Sequence, residues 1–320
     1  MSSRVGSAIE LSLTKRSPLA CGRVRRPSAA ELGLLLTVFI WSLNFTLTKY
    51  VLDHGFKPLA YSSLRFTAAA LVFAAITFVR ERSFRMRRND VVLLFAAVVV
   101  GIWLNQIGFV YSLKYTTAST AALVFGTLPI FTMLFARATG VEQLSRRFIA
   151  ASLVSFAGVA LVALGAEGDV AGDPVGIALA LLGAATWAAY SVAIAPLLQR
   201  YSPSRISAVG LLIGAAMILP TASPQLAAQN YDLSPLIWAI FVAAVLGPLV
   251  LTNILWFTAI DRVGPSRASL FANLQPFLGA VFALLILSER MTILQVAGGA
   301  AIAVGIALAR RRRPALPAAE

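Results

Sequence analysis

The sequence predicts an all-α integral membrane protein, ten transmembrane helices arranged as two inverted five-helix repeats. Three observations predict it: a strongly apolar composition, ten apolar runs of spanning length, and an internal repeat. Hydrophobic residues make up 59% of the chain and charged residues 12%, where soluble domains carry roughly half and roughly a quarter. Crossing about 30 Å of hydrocarbon takes about 20 apolar residues. Runs of that kind lie at 32–52, 59–79, 91–112, 118–138, 148–165, 174–198, 206–222, 236–258, 266–287 and 292–309. Five precede the loop 166–173 and five follow it. Helices in hydrocarbon satisfy their own backbone groups, and the connections are too short to hold a soluble domain.

The repeat has an offset of 147. Ser119, Pro129, Glu142 and Gly158 map onto Ser266, Pro276, Glu289 and Gly305. Over residues 119–161 there are 11 identities. Most are Ala, Leu, Ser or Phe matches that composition alone supplies. Proline is 15 of 320 residues and the acids together are 13, so their alignment carries the information and points to a duplication. An odd number of helices per half turns the second copy upside down in the membrane. The division is a basic arm at 1–30, a first repeat at 31–165, a second at 174–310 and a tail at 311–320.

The net charge is +14, and its placement argues for membrane topology rather than nucleic-acid binding. Of 27 Lys and Arg, 22 fall on one side, in the N-terminal arm, the 80–90 loop, the even-numbered connections and the Arg310 to Arg313 run. Lys57, Lys114 and Arg290 fall on the other side, and Lys49 and Arg65 lie within the spans. The positive-inside rule then places both termini in the cytoplasm and the chain in the cell inner membrane as a multi-pass protein. The Arg80 to Asp90 loop meets anionic lipid headgroups. The Arg- and Ser-rich arm with its acids Glu10 and Glu31 leaves an organellar transit peptide open beside a plain basic arm.

In chain order, helix 1 carries Trp41 and Asn44 near its middle and Lys49 about 10 Å further out by helical rise. Helix 2 carries Arg65 in its outer half. Helix 3 holds Gly101, Asn105, Gln106 and Tyr111 and reaches helix 4 through a connection so short that the two are antiparallel neighbours. Pro129 deprives the Phe125 carbonyl of its donor and bends helix 4. Pro276 does the same to Ala272 in helix 9, beside Asn273 and Gln275. Small residues in helices 5 and 10, among them Gly158, Gly298 and Gly305, allow close helix approach. Helix 6 places Trp187 and Tyr190 at its middle, and helix 8 carries Asn253.

Several function classes find no support. Cys21 is the one cysteine and His54 the one histidine, which rules out a disulfide framework and a Cys-based metal site; no clustered carboxylate accompanies His54, so metal ligation has no support, and no cofactor is expected. An intramembrane enzyme needs a nucleophile with a base, or paired acids at depth, and a channel needs rings of like groups. Inverted repeats instead suit a secondary carrier with a midplane site. A non-transporting membrane receptor or assembly factor is the alternative. Glu142 and Glu289 end matched helices in the headgroup zone. They either carry coupling protons or cap the following helix and pair with Arg146, Arg147 or Arg290. Trp41 and Trp187, related by an offset of 146, are either core packing or cavity walls.

The phrases WSLNFTLTK, PLAYSSLRF, NQIGFVYSLKYTTAS, LPIFTMLFA with its trailing Glu142, TWAAYSV and LQPFLGAVFALLILSER resemble the EamA-like family of the drug/metabolite transporter superfamily. The resemblance covers residues 30 to 310. It implies a ten-helix bundle around a central cavity and the movement of small metabolites or drugs, usually as export.

What the halves do not share points to recognition. Lys49 maps at offset 146 to Ala195 and Arg65 to Leu211, so both embedded cations belong to the first half, and no acid lies at comparable depth. A buried cation costs at least a few kcal/mol. Either Lys49 snorkels outward and Arg65 ties backbone carbonyls, or one or both face the cavity and meet an anionic or zwitterionic small molecule. On the second reading Asn44, Tyr190, Asn273 and Gln275 orient the solute, Trp41 and Trp187 form apolar walls, and Asn105, Gln106, Pro129, Asn253 and Pro276 complete the cavity.

Overall fold

The computed structural model describes residues 28–165, 173–287 and 292–310, and all secondary structure in them is helical. Glu289, Arg290, most of the basic arm and of the 166–173 loop, and the tail from 311 lie outside the described residues. Among the described residues, eight helices are long and apolar enough to cross a membrane, and a shorter apolar helix, Ile293–Ala309, accompanies them. Outward faces stay apolar, with Leu71, Leu134, Leu153 and Val242 exposed. Together these features make the chain a multi-pass membrane protein.

Local chemistry sets the helix starts. Helix α1, Ala29–Asp53, begins with a capping box: Glu31 N donates to Ser28 Oγ at 3.3 Å and Ser28 N to Glu31 Oε2 at 2.7 Å, which satisfies two orphan donors. Ser145, Asp173 and Ser202 cap α7 (Arg146–Leu164), α8 (Pro174–Leu198) and α9 (Pro203–Ala227). Helix α2, Pro58–Glu81, has no side-chain cap of its own. Gln225 of α9 and Gln229 just beyond its end supply it: Lys57 N donates to Gln229 Oε1 at 2.7 Å and Leu59 N to Gln225 Oε1 at 2.8 Å. At the other end of the same pair, Glu81 takes Ser202 Oγ and the Arg205 guanidinium, the latter at 2.7 Å. The two helices therefore run antiparallel along their full length.

The remaining spans are interrupted, and the interruptions repeat. Helix α3 (Arg88–Val98) passes through a π-helical stretch, Val99–Leu104, into α4 (Asn105–Tyr115). Helix α10 (Pro235–Val245) passes through Leu246–Leu251, also π-helical, into α11 (Thr252–Val263). Both ends of the two π stretches differ by 147, the offset of the sequence repeat. Pro248 sits in the second, where its missing N–H favours the wider turn.

The bends expected at Pro129 and Pro276 are breaks. Helix α5, Ala118–Phe125, stops at Gly126 and Thr127, and α6, Leu128–Ala138, starts afresh with Pro129 in its first turn, a position where a proline costs nothing. The counterpart is α12 (Pro265–Leu270), a 3₁₀ turn at Phe271–Asn273 and α13 (Leu274–Leu287).

Packing follows the same symmetry. Helix α1 lies on α11 as α8 lies on α4, α1 on α13 as α8 on α6, and α5 on α13 as α12 on α6. Helix α7 packs against its repeat equivalent α14, Ile293–Arg310. A Cβ on Gly158 would come within 2.6 Å of the Gly298 carbonyl oxygen, and one on Gly305 within 2.7 Å of the Ala151 carbonyl oxygen. Rising numbers on α7 thus meet falling numbers on α14, so this pair is antiparallel as well.

Candidate functional site

A cavity of about 90 Å³ lies among α1, α2, α4, α8, α9 and α11, with Phe125, Leu128 and Gln275 at the helix breaks. Twelve of its lining residues fall into repeat-related pairs. Trp41 with Trp187, Asn44 with Tyr190 and Arg65 with Leu211 are separated by 146 positions; Ile102 with Leu249, Gln106 with Asn253 and Leu128 with Gln275 by 147. Equivalent positions from the two halves close one space between them. The π stretches feed it directly. Pro248 lines the cavity, and its equivalent Gly101 has no room for a Cβ because Tyr190 packs against it.

Two tryptophans form a wall. Trp41 meets Trp187 edge-on, ring centroids 5.8 Å apart, and Trp256 at 4.8 Å. Trp41 Nε1 donates to Thr252 Oγ1 at 3.0 Å, and that hydroxyl donates in turn to the Pro248 carbonyl. Trp187 Nε1 is buried without a partner. Opposite chemistry comes from amides: Asn105 Nδ2 donates to the Gly183 carbonyl at 2.8 Å and Thr186 Oγ1 at 3.2 Å, and Gln106 Nε2 to Asn105 Oδ1 at 3.3 Å. Gln275 Oε1 and Ser207 Oγ are buried with no partner.

Among the described residues Arg65 is the one charged residue lining this space, and it is 2% exposed. It does not tie backbone carbonyls. Its Nη1 donates to Asn44 Oδ1 at 3.3 Å and to Tyr61 Oη at 3.2 Å, and its Nε has no partner. Ion pairs among the described residues join Lys49 to Asp53, Arg200 to Asp90 and Arg205 to Glu81. None reaches Arg65. Neutral acceptors offset part of the cost of burying a guanidinium and none of its charge.

Of the residues singled out from sequence, Trp41, Asn44, Arg65, Asn105, Gln106, Trp187, Tyr190, Asn253 and Gln275 line the cavity. Four do not. Lys49 turns to Asp53, one helical turn on, at 3.2 Å, and keeps 29% of its side chain exposed. Asn273 turns to α7 and donates to Ser155 Oγ at 2.9 Å. Pro129 and Pro276 sit in the first turns after the breaks and shape the backbone without facing the space. Tyr61, Leu211, Leu249 and Ser207 were missed. Tyr61 stands four residues before Arg65, the spacing of neighbours on a helix face. Leu211 and Leu249 are the repeat images of Arg65 and Ile102.

Glu142 lies away from the cavity and does not cap its following helix, which Ser145 caps. It reaches into the other half, where its Oε2 accepts from Ser266 N at 3.2 Å. Gly264 there has φ +85° and no space for a side chain beside the Glu142 carboxylate, so glycine is required on both counts. Burial pushes the Glu142 carboxyl up from its ordinary value, against the pull of Ser266 and Arg267. Glu142 thus bridges the two halves through the Ser266 backbone.

The chain is 25% identical over 288 residues to an uncharacterized transporter of Archaeoglobus fulgidus, covering 88% of this chain and 98% of that one. It is 28% identical over 288 residues to a probable terminal-alkyne amino-acid exporter of Streptantibioticus cattleyicolor, covering 89% and 94%. A probable amino-acid metabolite efflux pump of Salmonella typhimurium is 27% identical over 292 residues, covering 85% and 91%. A crystal structure at 20% identity matches with a TM-score of 0.72, over 88% of this chain and 96% of that one, which shows the fold alone. With two matched segments, residues 28–164 and 174–311, that coincide with the two halves of the fold, the chain belongs to the EamA-like transporter family.

Proposed function

We propose that this protein is a secondary transporter of the cell inner membrane that exports small anionic or zwitterionic solutes by alternating access. The observation that carries the proposal is the cavity closed by equivalent positions of the two halves around a buried arginine with no acid among the described residues to pair it. On this reading the eight long spans, α14 and the broken α12–α13 rod make ten transmembrane segments. Residues 31–165 and 174–310 are then inverted repeats, as the antiparallel packing of α2 on α9 and α7 on α14 supports. Both termini are cytoplasmic, and single cysteines at Ser83 and Asn230 in a Cys21→Ser background should label from opposite sides.

Volume supports motion. A space of about 90 Å³ is smaller than the roughly 150 Å³ of a cavity that holds one benzene, less than a metabolite needs, so loading requires the halves to part. Two packings related by the repeat symmetry would open the site to one side and then the other. The similarity to a probable terminal-alkyne amino-acid exporter and a probable amino-acid metabolite efflux pump agrees with a zwitterionic cargo.

Counterflow in proteoliposomes tests the proposal, with radiolabelled amino acids, monocarboxylic acids and organic cations in parallel. Amino or carboxylic acids should exchange, and Arg65→Gln at matched protein density should abolish it. Exchange of organic cations alone would refute the charge assignment. No flux of any solute in either direction would favour a receptor or assembly factor.

A further inference from the structure

We propose that the Nε–Nη2 edge of Arg65 reads a planar carboxylate on the transported solute, with Tyr61 and Asn44 as the residues that aim it. The inference rests on the transport reading and goes beyond it in naming the anion and the atoms that hold it.

A guanidinium offers two forks. The end fork uses Nη1 and Nη2, the side fork Nε and Nη2, and each matches the two oxygens of a carboxylate. Here both protein hydrogen bonds of Arg65 use Nη1, at 3.3 Å to Asn44 Oδ1 and 3.2 Å to Tyr61 Oη. Nε is buried without a partner, so the side fork is left for another molecule. Tyr61 also holds the group from beneath, with Arg65 Cζ 4.9 Å from the centre of its ring. Thr48 Oγ1 donates to Asn44 Oδ1 at 3.4 Å, which fixes the oxygen that faces Arg65. A side chain tied at one nitrogen on a rigid aromatic base loses little freedom when the solute binds.

Charge and shape select the carboxylate over other anions. One guanidinium balances one negative charge, whereas a phosphate monoester carries about −1.5 to −2 at neutral pH and would bury the excess. A tetrahedral phosphonate or sulfonate also brings a third oxygen that needs its own donor. The nearest amide group toward Arg65 presents an acceptor, Asn44 Oδ1, and Gln275 offers an unpartnered acceptor, Oε1, to the cavity. Those oxygens suit an ammonium or hydroxyl of the solute and repel a third anionic oxygen.

The test is binding to the full chain in lipid nanodiscs, read by fluorescence of Trp41 and Trp187, which line the same space. Probes are L-leucine, 4-methylpentanoate, L-leucinamide and 1-amino-3-methylbutylphosphonate. At least one of the two carboxylates should bind about tenfold or more tighter than the amide and the phosphonate, since only it makes the bidentate pair. Arg65→Lys keeps the charge without the fork and should lose about tenfold or more for that carboxylate. Tyr61→Phe keeps the ring packed on Phe56 and Phe241 and removes only the hydroxyl. It should narrow the preference for carboxylate over amide while keeping a single cooperative unfolding transition. Equal binding of the phosphonate, wild-type affinity in Arg65→Lys, or no binding of either carboxylate overturns the inference. Flux in proteoliposomes separates the two readings: flux with no carboxylate preference sinks the fork alone, and carboxylate binding without flux sinks the transport reading alone.

Discussion

Trp41 and Trp187 occupy equivalent positions in the two halves and touch each other, edge to face at 5.8 Å with planes 82° apart. Residues on a two-fold axis are the ones that meet their own images, so this contact marks where the pseudo-symmetry axis runs through the cavity. Their hydrogen bonding differs. Trp41 Nε1 is held by Thr252 and Trp187 Nε1 has no partner.

That difference predicts unequal substitutions. Trp41→Phe should cost about 1 kcal/mol of stability beyond lost ring area, from the broken hydrogen bond, and lower the unfolding temperature in detergent. Trp187→Phe leaves no protein acceptor unsatisfied and should unfold close to wild type, with its effect confined to solute affinity in counterflow.

Proline removal separates shape from stability. The double variant Pro129→Ala, Pro276→Ala restores two backbone donors in first helical turns, where a proline is tolerated. Membrane expression and unfolding temperature should be at least those of wild type. Transport should fall severalfold, because the breaks that admit Phe125, Leu128 and Gln275 to the cavity would anneal into continuous helix. Unchanged transport would remove the breaks from the mechanism.

Glycines on α7 and α14 should be sensitive where a neighbouring glycine is not. Gly158→Ala and Gly298→Ala each put a Cβ 2.6 Å from a backbone oxygen of the partner helix. Each should destabilise by about 1–3 kcal/mol. Gly279 has nothing within 4 Å of the added carbon, and Gly279→Ala should be neutral or stabilising by about 0.5–1 kcal/mol through helix propensity. Thermal unfolding of the three variants side by side checks both statements.

Glu142 should leave a trace in the pH dependence of stability. Its carboxyl is raised from 4.5 by burial, so the folded protein holds that proton more firmly than the unfolded chain does. Stability is then fully present below 4.5 and declines as pH rises through the folded value. Glu142→Gln removes this titration. Between pH 4 and 7 the unfolding temperature of the wild type should fall more steeply with pH than that of the variant, and parallel curves would rule the effect out.

The helices, the repeat and most of the cavity were legible in the sequence because hydropathy and a fixed offset survive without knowledge of packing. Register around a helix does not survive as well. Asn273 and Gln275 are two residues apart, about 200° around the axis, and looked alike in an apolar run, yet one bonds α7 and the other opens into the cavity. Lys49 and Arg65 were both lone cations at depth, but Asp53 stands four residues after Lys49, the spacing of an ion pair on one helix face. That signal was present and outweighed by depth alone. The π stretches left no periodic mark, since one extra residue in a turn disappears within a uniformly apolar segment. The helix breaks were visible only as prolines, which announce a disturbance without saying whether the chain bends or starts again.

The contacts of α7 with α14 come as a reciprocal set. Gly158 lies on Gly298, and Ala151, the counterpart of Gly298, lies under Gly305, the counterpart of Gly158. Such reciprocity is what an interface between two identical subunits related by a two-fold axis must have. A free five-helix polypeptide, paired with a second copy of itself, could make the same joint twice. Fusing two such genes turns a bimolecular encounter into an intramolecular one at high effective concentration. It also releases the copies from having to be identical, and only after that release could one half keep an arginine where the other keeps Leu211.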